Sequence, residues 1–190
     1  MLTISIADVP HLKKIADTIV IDHHSYVSSP RTVGRCIKYL IHYEDRIVGT
    51  FWLGSGFKPT PKSILNHFKV SQKEYDKIFN YVADNKRFCM REKIPNLGSQ
   101  VLKLIRNRAK SDWKTIYGDE LIAIITTIGP SHNGAVYLAD NWKIIGETAG
   151  LPSERKSVSM KWDSKESIAE KYTKPDGKNK KKILITERLK

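Results

Sequence analysis

The residue cluster best suited to chemistry lies between His132 and Trp142, in the segment HNGAVYLADNW. Asn133, Tyr137 and Asn141 are spaced four residues apart, so in a helix their side chains share one face. Two amides and a phenol on one face suit the recognition of a base edge or of a carbonyl group. The alternative is structural, with Asn141 capping a turn and Tyr137 packed in the core.

A second candidate is the pair His23 and His24, which ends the first predicted helix. Imidazole titrates near neutral pH, so it serves as a proton acceptor or as a metal ligand. Neighbouring side chains on a helix point about 100° apart, so one ion would contact only one of the two. His24 is therefore a candidate catalytic residue, and His23 or His24 is a candidate metal ligand. A polar helix end explains the pair equally well.

A third candidate is the start of a long predicted helix, at Asn96, Gly98 and Ser99. The first N–H groups of a helix and the positive end of its dipole can hold a phosphate group. These three residues are candidates for binding a cofactor. Asn is also a preferred N-cap residue, so an ordinary cap is the alternative.

The charge of the chain points to nucleic acid as the partner, most simply DNA. Thirty-three Lys and Arg against 20 Asp and Glu leave a formal net charge of +13. Such a field attracts polyanions, although a solubility surface is the plainer alternative. The excess concentrates in two stretches, residues 103–114 and residues 151–190. A membrane surface is disfavoured, because no basic helix carries a strong apolar face.

Basic side chains, with one tryptophan that could stack on a base, make up the predicted nucleic-acid-binding set. Arg87 lies on a predicted strand, where it is either a phosphate clamp or a buried charge paired with an acid. The predicted set is Arg31, Arg87, Arg106, Lys110, Trp142, Lys178, Lys180 and Lys181.

Cys36 and Cys89 are isolated, so a zinc knuckle is disfavoured and buried thiols in a reducing compartment are expected. The sequence shows neither a signal-peptide pattern nor an apolar run long enough to span a membrane. We therefore expect a cytoplasmic protein. Whether it is a monomer or a homodimer is left open.

The elements that must position these residues alternate between strands and helices. Their order is that of the acyl-CoA-dependent N-acetyltransferase (GNAT) fold, an α/β (α+β) architecture with a mixed central sheet flanked by helices. Residues 1–150 form the predicted core, and residues 151–190 form a basic C-terminal extension that completes the sheet. The predicted strands are 2–6, 35–43, 46–53, 86–92, 121–128, 143–145, 157–162 and 183–186, and the predicted helices are 8–24, 71–83, 97–116 and 134–141.

Three segments resemble a known family: YVADNKRFCMREKIPNLGSQVL, SDWKTIYG and GAVYLADNWKIIGETAG. They are similar to the DruA-type domain of the Druantia anti-phage system and to the Mom proteins of phages, over His23 to Thr186. Mom proteins are GNAT-related and place a carbamoylmethyl group on the exocyclic amine of adenine in DNA, an anti-restriction modification. The resemblance implies a DNA-modifying transferase with an acyl-CoA donor. In the GNAT fold the Tyr of this helix protonates the departing thiolate, which makes Tyr137 the expected general acid.

Two departures separate this chain from its relatives. Gly129 stands where both relatives have an acid, and the pyrophosphate loop Gln/Arg-x-x-Gly-x-Gly/Ala of acetyltransferases is absent. These departures favour a non-enzymatic DNA-binding module as one alternative. The other alternative is an N-acetyltransferase for a small molecule or a protein.

Overall fold

The computed structural model describes residues 1–24, 29–56, 58, 60–150 and 180–190. Within them, seven strands form one mixed sheet in the order β1-β2-β3-β4-β5-β7-β6, flanked by helices on both faces, as predicted. The strands are β1 (Leu2–Ile6), β2 (Cys36–Tyr43), β3 (Arg46–Ser55), β4 (Val82–Met90), β5 (Ala123–Ile128), β6 (Lys143–Glu147) and β7 (Lys182–Thr186). The helices are α1 (Pro10–His23), α2 (Lys62–Phe68), α3 (Gln72–Ile78), α4 (Leu97–Tyr117) and α5 (Ala135–Ala139), with one 3-10 turn at Phe79–Tyr81.

The β2–β3 hairpin confirms the two strands predicted at 35–43 and 46–53. Its two turn residues, Glu44 and Asp45, both have positive φ, at 49° and 62°. Positive φ at both central positions matches the right-handed twist of the flanking strands, which is why a two-residue loop suffices here. The hairpin continues an antiparallel run from β1 to β4.

Helix α1 also forms as predicted, but it begins at Pro10 rather than at the predicted residue Asp8. Val9 is the N-cap residue, with extended backbone and no side-chain cap hydrogen bond. Pro10 occupies the first helical position, where its fixed φ and missing N–H favour a helix start. Proline, rather than a capping carboxylate, therefore defines this end.

Residues 71–83 were predicted as one helix, and this prediction is wrong in its second half. Ser71 and Glu74 form a reciprocal capping box that starts α3. The helix ends at Ile78 because Val82 and the residues after it pair with β3 and β5 instead. Sheet pairing and complete burial of Val82 outweigh the helical periodicity, so β4 begins before the predicted Lys86. Helix α2 was not predicted.

The sheet separates two layers of core. On one face Phe51 and Leu53 pack with residues of α4, while Trp52 packs with α1 on the other face. Further along, Ile124 packs on the α4 side, and its neighbours on β5 pack with α2 and α3. Successive residues of a strand point to opposite faces of the sheet, so this alternation assigns each β4 and β5 side chain to one face.

The C-terminal part of the chain contributes an internal strand. β7 lies between β5 and β6 and is antiparallel to both. The segment 151–179, which includes Lys178 and the predicted strand 157–162, lies outside the described residues. The division at residue 150 therefore stays a prediction. No described helix combines the length and apolar character needed to cross a membrane.

Candidate active site

The site lies where two neighbouring parallel strands separate. β4 and β5 pair only over Val82–Asp84 and Ala123–Ile125. Beyond that point β4 stays with β3 and β5 stays with β7. A cavity of about 520 Å³ lies between them, within the range of about 300–1,000 Å³ for small-molecule sites. Residues 132–137 complete its wall.

A β-bulge in β4 shapes this wall. Across from β4, Leu53 pairs with Asn85 and Trp52 pairs with Arg87, so Lys86 has no partner in the register. Bulges redirect side chains and are common beside active sites. Here the bulge brings the consecutive residues Lys86 and Arg87 to the same cavity.

One wall of the cavity, which we call the aromatic side, consists of Asn85, Phe88, Thr126, Val136 and Tyr137. The Asn85 amide Nδ2 donates to the Tyr137 hydroxyl oxygen at 2.6 Å and lies 3.5 Å from Thr126 Oγ1. The Phe88 ring meets the Tyr137 ring edge-on, with centroids 6.3 Å apart. Tyr137 is thus held in the cavity wall by both its ring and its hydroxyl group.

Behind Tyr137 stands a row of paired polar groups. The Trp142 ring lies 5.2 Å from the Tyr137 ring, and its indole N–H donates to Asp140 Oδ2 at 3.0 Å. Arg106 donates to both oxygens of Asp140 at 2.7 Å, a bidentate ion pair. The prediction that Trp142 stacks on a base is wrong, because the side chain is buried. Arg106 likewise supports the fold here rather than reaching a phosphate.

The predicted sharing of one helix face by Asn133, Tyr137 and Asn141 is wrong, because α5 is too short to include the two asparagines. Asn141 is exposed, has a φ of 62° and does not line the cavity, so the structure gives it no catalytic position. Asn133 accepts the Ala135 N–H at 3.0 Å, as a turn residue does. Of the three residues, Tyr137 is the one whose polar group makes a buried hydrogen bond in the site, to Asn85.

The opposite wall, which we call the charged side, carries one acid among cations. It consists of His24, Asp84, Lys86, Arg87, His132 and Lys181. Asp84 is only 6% exposed, and Lys86 Nζ lies 3.1 Å from its Oδ2. Its other oxygen, Oδ1, is buried without a hydrogen-bond partner among the described residues. Burial raises the pKa of Asp84, against the lowering effects of Lys86, Arg87 and Lys181.

Asp84 faces α3 rather than α4, which places the charged side on the other face of the sheet. Burial and then the charge of Asp84 raise the pKa of Tyr75, on α3, to about 12. Asn85, the next residue, contacts Tyr137 on the α5 side. The cavity therefore passes between the strands and has chemically different walls on the two faces.

His24 follows the last residue of α1 and is half-buried in the cavity wall. Burial, followed by the charges of Arg87 and His132, lowers its pKa below the ordinary value. A neutral imidazole is therefore favoured at neutral pH. His23 is exposed and does not line the cavity. Over the described ranges, no group of three or more His, Cys, Asp or Glu side chains is arranged to hold a metal.

Two of the predicted nucleic-acid-binding residues reach the cavity, Arg87 and Lys181. Arg87 Nη1 donates to the Lys86 carbonyl at 2.6 Å, and its charge reaches both His24 and Asp84. The backbone N–H of Lys181 donates to Thr148 Oγ1 at 3.0 Å, which anchors the residue just before β7.

The other basic candidates lie elsewhere. Arg31 is exposed on the loop before β2, Lys180 is exposed beside Lys181, and Lys178 lies outside the described residues. Lys110 pairs with Glu120 at 2.8 Å, which offsets part of the positive charge of helix α4. The same holds for Arg108, which pairs with Asp112 at 2.6 Å.

The start of α4 adjoins the cavity without lining it. Asn96 has a φ of 60° and no side-chain cap hydrogen bond, so an ordinary asparagine cap is not formed. The Ser99 hydroxyl donates to the Asn96 carbonyl at 3.0 Å. A Cβ on Gly98 would lie 2.5 Å from Val136 Cγ2, so glycine permits α4 to pack closely on α5. At Gly129, by contrast, a Cβ would meet no described atom within 4 Å.

Asp84 and Asn85 are the site residues that the sequence reasoning missed. The helix predicted over 71–83 moved the start of the strand to Lys86 and left this pair between two elements. A polar pair directly after the buried residues Val82 and Ala83 was the available signal. The bulge that turns the chain at Lys86 has no signature in the sequence.

Comparisons with known proteins agree on the fold. No family model and no curated protein matches the chain. Many solved structures do, among them a GNAT family acetyltransferase from Elizabethkingia anophelis with acetyl-CoA bound (16% identity, TM-score 0.53, 98% of this chain and 97% of that one). The chain has the GNAT fold.

Two further matches support this assignment. A GNAT family acetyltransferase from Bacillus cereus is 12% identical, with a TM-score of 0.56 and coverage of 100% of this chain and 99% of that one. The ribosomal-protein-S18-alanine N-acetyltransferase from Escherichia coli is 10% identical, with a TM-score of 0.53 and coverage of 100% and 96%. At these identities the likeness is one of fold.

Proposed function

We propose that the protein is an acyl-CoA-dependent N-acyltransferase whose acceptor is the exocyclic amine of a base in DNA, adenine being the first candidate. The observation that carries this proposal is the buried Tyr137 hydroxyl in the cavity where β4 and β5 of a GNAT fold separate. Structural relatives with this fold hold acetyl-CoA or CoA.

The aromatic side fits the donor. Asn85 Oδ1 is buried and accepts no hydrogen bond from a described residue, so it suits an amide N–H of the kind found in the CoA arm. The first turn of α4, at Gly98 and Ser99, adjoins this wall through Val136 and would face the phosphates. Bound acyl-CoA supplies an activated acyl group and a thiolate leaving group.

The protein's own groups would move two protons. The Tyr137 Oη–H would protonate the departing sulfur, the role of a general acid. Asp84 Oδ1 would accept an N–H of the acceptor amine, because the oxygen has no other donor among the described residues. The raised pKa of Asp84 makes its carboxylate the stronger base. His24, whose lowered pKa favours the neutral imidazole, belongs to the same wall and would be a second proton acceptor.

The charges of the charged side favour an uncharged acceptor amine next to phosphates. The charged side has three cations, Lys86, Arg87 and Lys181, around a single carboxylate. This excess of positive charge repels an ammonium group and attracts phosphates. The exocyclic amine of a base is uncharged at neutral pH, so it avoids this repulsion. The net charge of +13 and the resemblance to Mom and DruA-type proteins point the same way. The base would be flipped out of a duplex or taken from a single strand.

Nucleoside mass spectrometry tests this proposal. DNA from cells that express the protein should contain an acylated adenine nucleoside, and DNA from cells with Tyr137→Phe should contain about 100-fold less. Calorimetry with acetyl-CoA, run on both folded proteins, separates donor binding from transfer. Unmodified DNA with intact acetyl-CoA binding would exclude the DNA acceptor. Absence of binding to acetyl-CoA and to larger acyl-CoAs would exclude the acyltransferase.

The second candidate is an N-acetyltransferase for a protein or small molecule, the activity named for the Escherichia coli relative in the case of a ribosomal protein. It predicts acetyl-CoA turnover with amine acceptors and no DNA dependence. A third candidate, a DNA-binding module without activity, is favoured by Asn96-Leu97-Gly98-Ser99 at the position of the missing pyrophosphate loop. It predicts DNA binding that persists in Tyr137→Phe and His24→Ala and no turnover of any acyl-CoA.

A further inference from the structure

We infer that Asn85 is a positioning residue that sets the direction of the Tyr137 hydroxyl proton and stabilises the oxygen once that proton has left. The inference rests on the proposed acyl transfer, in which Tyr137 is the acid. It assigns a role to a β4 side chain whose contact with Tyr137 spans 52 residues of sequence.

The contact is short and shielded from water. Asn85 Nδ2 lies 2.6 Å from Tyr137 Oη, and the two residues are 8% and 9% exposed. A hydrogen bond in such surroundings is stronger than one in water, since the local dielectric constant is low. The Tyr137 ring is in turn fixed edge-on by Phe88 and Trp142, so the hydroxyl group has little freedom to leave the amide.

The polarity of this bond has a chemical consequence. Because the Tyr137 oxygen accepts the Asn85 N–H, its own O–H must point in another direction, away from the amide. When the O–H bond breaks and an S–H bond forms on the leaving thiolate, the phenolate oxygen keeps the electron pair. The Asn85 N–H then donates to a charged oxygen, and such bonds are roughly twice as strong as neutral ones. A proton from water restores the phenol after the thiol has left.

The same geometry explains why an amide, rather than a carboxylate, suits position 85. Aspartate has nearly the same shape but only acceptor atoms when ionised. In Asn85→Asp the carboxylate would draw the Tyr137 proton toward itself and would repel the phenolate. Asn85→Leu would remove the donor without reversing the polarity.

Two measurements test the inference on the full chain. Thiol release from acetyl-CoA with DNA as acceptor should have a kcat about 100-fold lower in Asn85→Asp, with an unchanged KM for acetyl-CoA, and an intermediate loss in Asn85→Leu. Adding Asn85→Asp to Tyr137→Phe should cause no further loss, because both changes remove one function. Asn107→Asp, the same change at an exposed site on α4, is the matched control.

The second measurement needs no turnover. In protein labelled with 13C at tyrosine Cζ, the resonance that disappears in Tyr137→Phe is followed through a pH titration. Its midpoint should rise by about one pH unit or more in Asn85→Asp and by less in Asn85→Leu. An unchanged midpoint in both variants would overturn the inference, as would losses that multiply in the double variant. If no acyl transfer is found but the midpoint rises, the proposed function fails and the Asn85–Tyr137 bond stands.

Discussion

The two walls of the cavity differ in their charge and in how their side chains are held, although each has one buried oxygen without a donor among the described residues. Behind the aromatic side, hydrogen bonds run from Arg106 through Asp140 to Trp142, and ring contacts extend from Trp142 to Tyr137. On the charged side, a buried oxygen of Asp84 has no donor among the described residues, and cations outnumber acids. The first wall is built like a core, whereas the second holds charge that folding alone does not favour. We infer that the aromatic side provides rigidity and the charged side provides recognition.

The largest expected effect tests the rigidity of the aromatic side. Trp142→Ala should lower the free energy of unfolding by about 3–5 kcal/mol, because it leaves a cavity beside Tyr137 and removes the donor to Asp140. Urea denaturation measures this loss. Leu138→Ala, at a residue 44% exposed on α5, is the control and should change stability by less than about 1 kcal/mol. A small effect at Trp142 combined with lost DNA binding would instead place that ring in a binding surface.

The charged side should respond in the opposite sense. Asp84→Asn should raise stability at pH 7 while lowering acyl transfer about 100-fold. The gain is expected because burial opposes the charge of Asp84 more strongly than Lys86 favours it. Thermal unfolding and transfer assays on the same samples measure the two effects.

The pH dependence of this difference follows from the raised pKa of Asp84. Below the ordinary value of 3.8 the carboxyl group is protonated in both folded and unfolded chains, so it does not affect stability. As the pH rises through 3.8 toward the folded-state pKa, the unfolded chain ionises first and the wild type loses stability. Asp84→Asn should not show this loss. A variant less stable than wild type at pH 7 would mean that the Lys86–Asp84 pair is part of the scaffold.

The sequence predicted the sheet better than the cavity, for a physical reason. Period-two burial and the turn at Glu44–Asp45 are local signals, so the hairpin and the apolar β5 strand were assigned correctly. Tyr137, predicted as the general acid, does line the cavity, and its catalytic role stays a prediction. The bulge at Lys86 and the pairing of Val82 with β5 depend on distant strands, and so Asp84 and Asn85 were missed.

Charge counting along the sequence does not reveal the distant acids that pair with a basic helix. Arg106 and Lys110 appeared as parts of a binding patch because their partners, Asp140 and Glu120, lie beyond the helix itself. A local excess of charge in the sequence says where cations are abundant. It does not say which of them face solvent or a ligand.

A third prediction compares the cavity with that basic helix. Lys181→Gln should reduce the slope of log Kd for DNA against log salt by about 1, because one phosphate contact is removed. Lys110→Gln should leave the slope nearly unchanged, since its charge is paired with Glu120 and does not reach the cavity. Fluorescence anisotropy with a labelled single-stranded oligonucleotide at several salt concentrations measures both slopes. A reduced slope in Lys110→Gln with an unchanged slope in Lys181→Gln would mean that α4, and not the charged side, tracks the DNA backbone.

The smallest expected effect concerns His24 and separates the two walls by their response to acid. The folded-state pKa of His24 lies below its ordinary value of 6.5, because of burial first and of Arg87 and His132 next. As the pH falls through 6.5, the unfolded chain therefore binds this proton before the folded one, and the wild type loses stability. His24→Gln should lose less between pH 7.5 and 5.5, while His11→Gln, an exposed change on the same helix, should behave like wild type. Equal slopes for all three proteins would mean that the imidazole of His24 is not held against the cations of the charged side. A selectively flatter slope for His24→Gln would show that acid acts on the charged side through this imidazole.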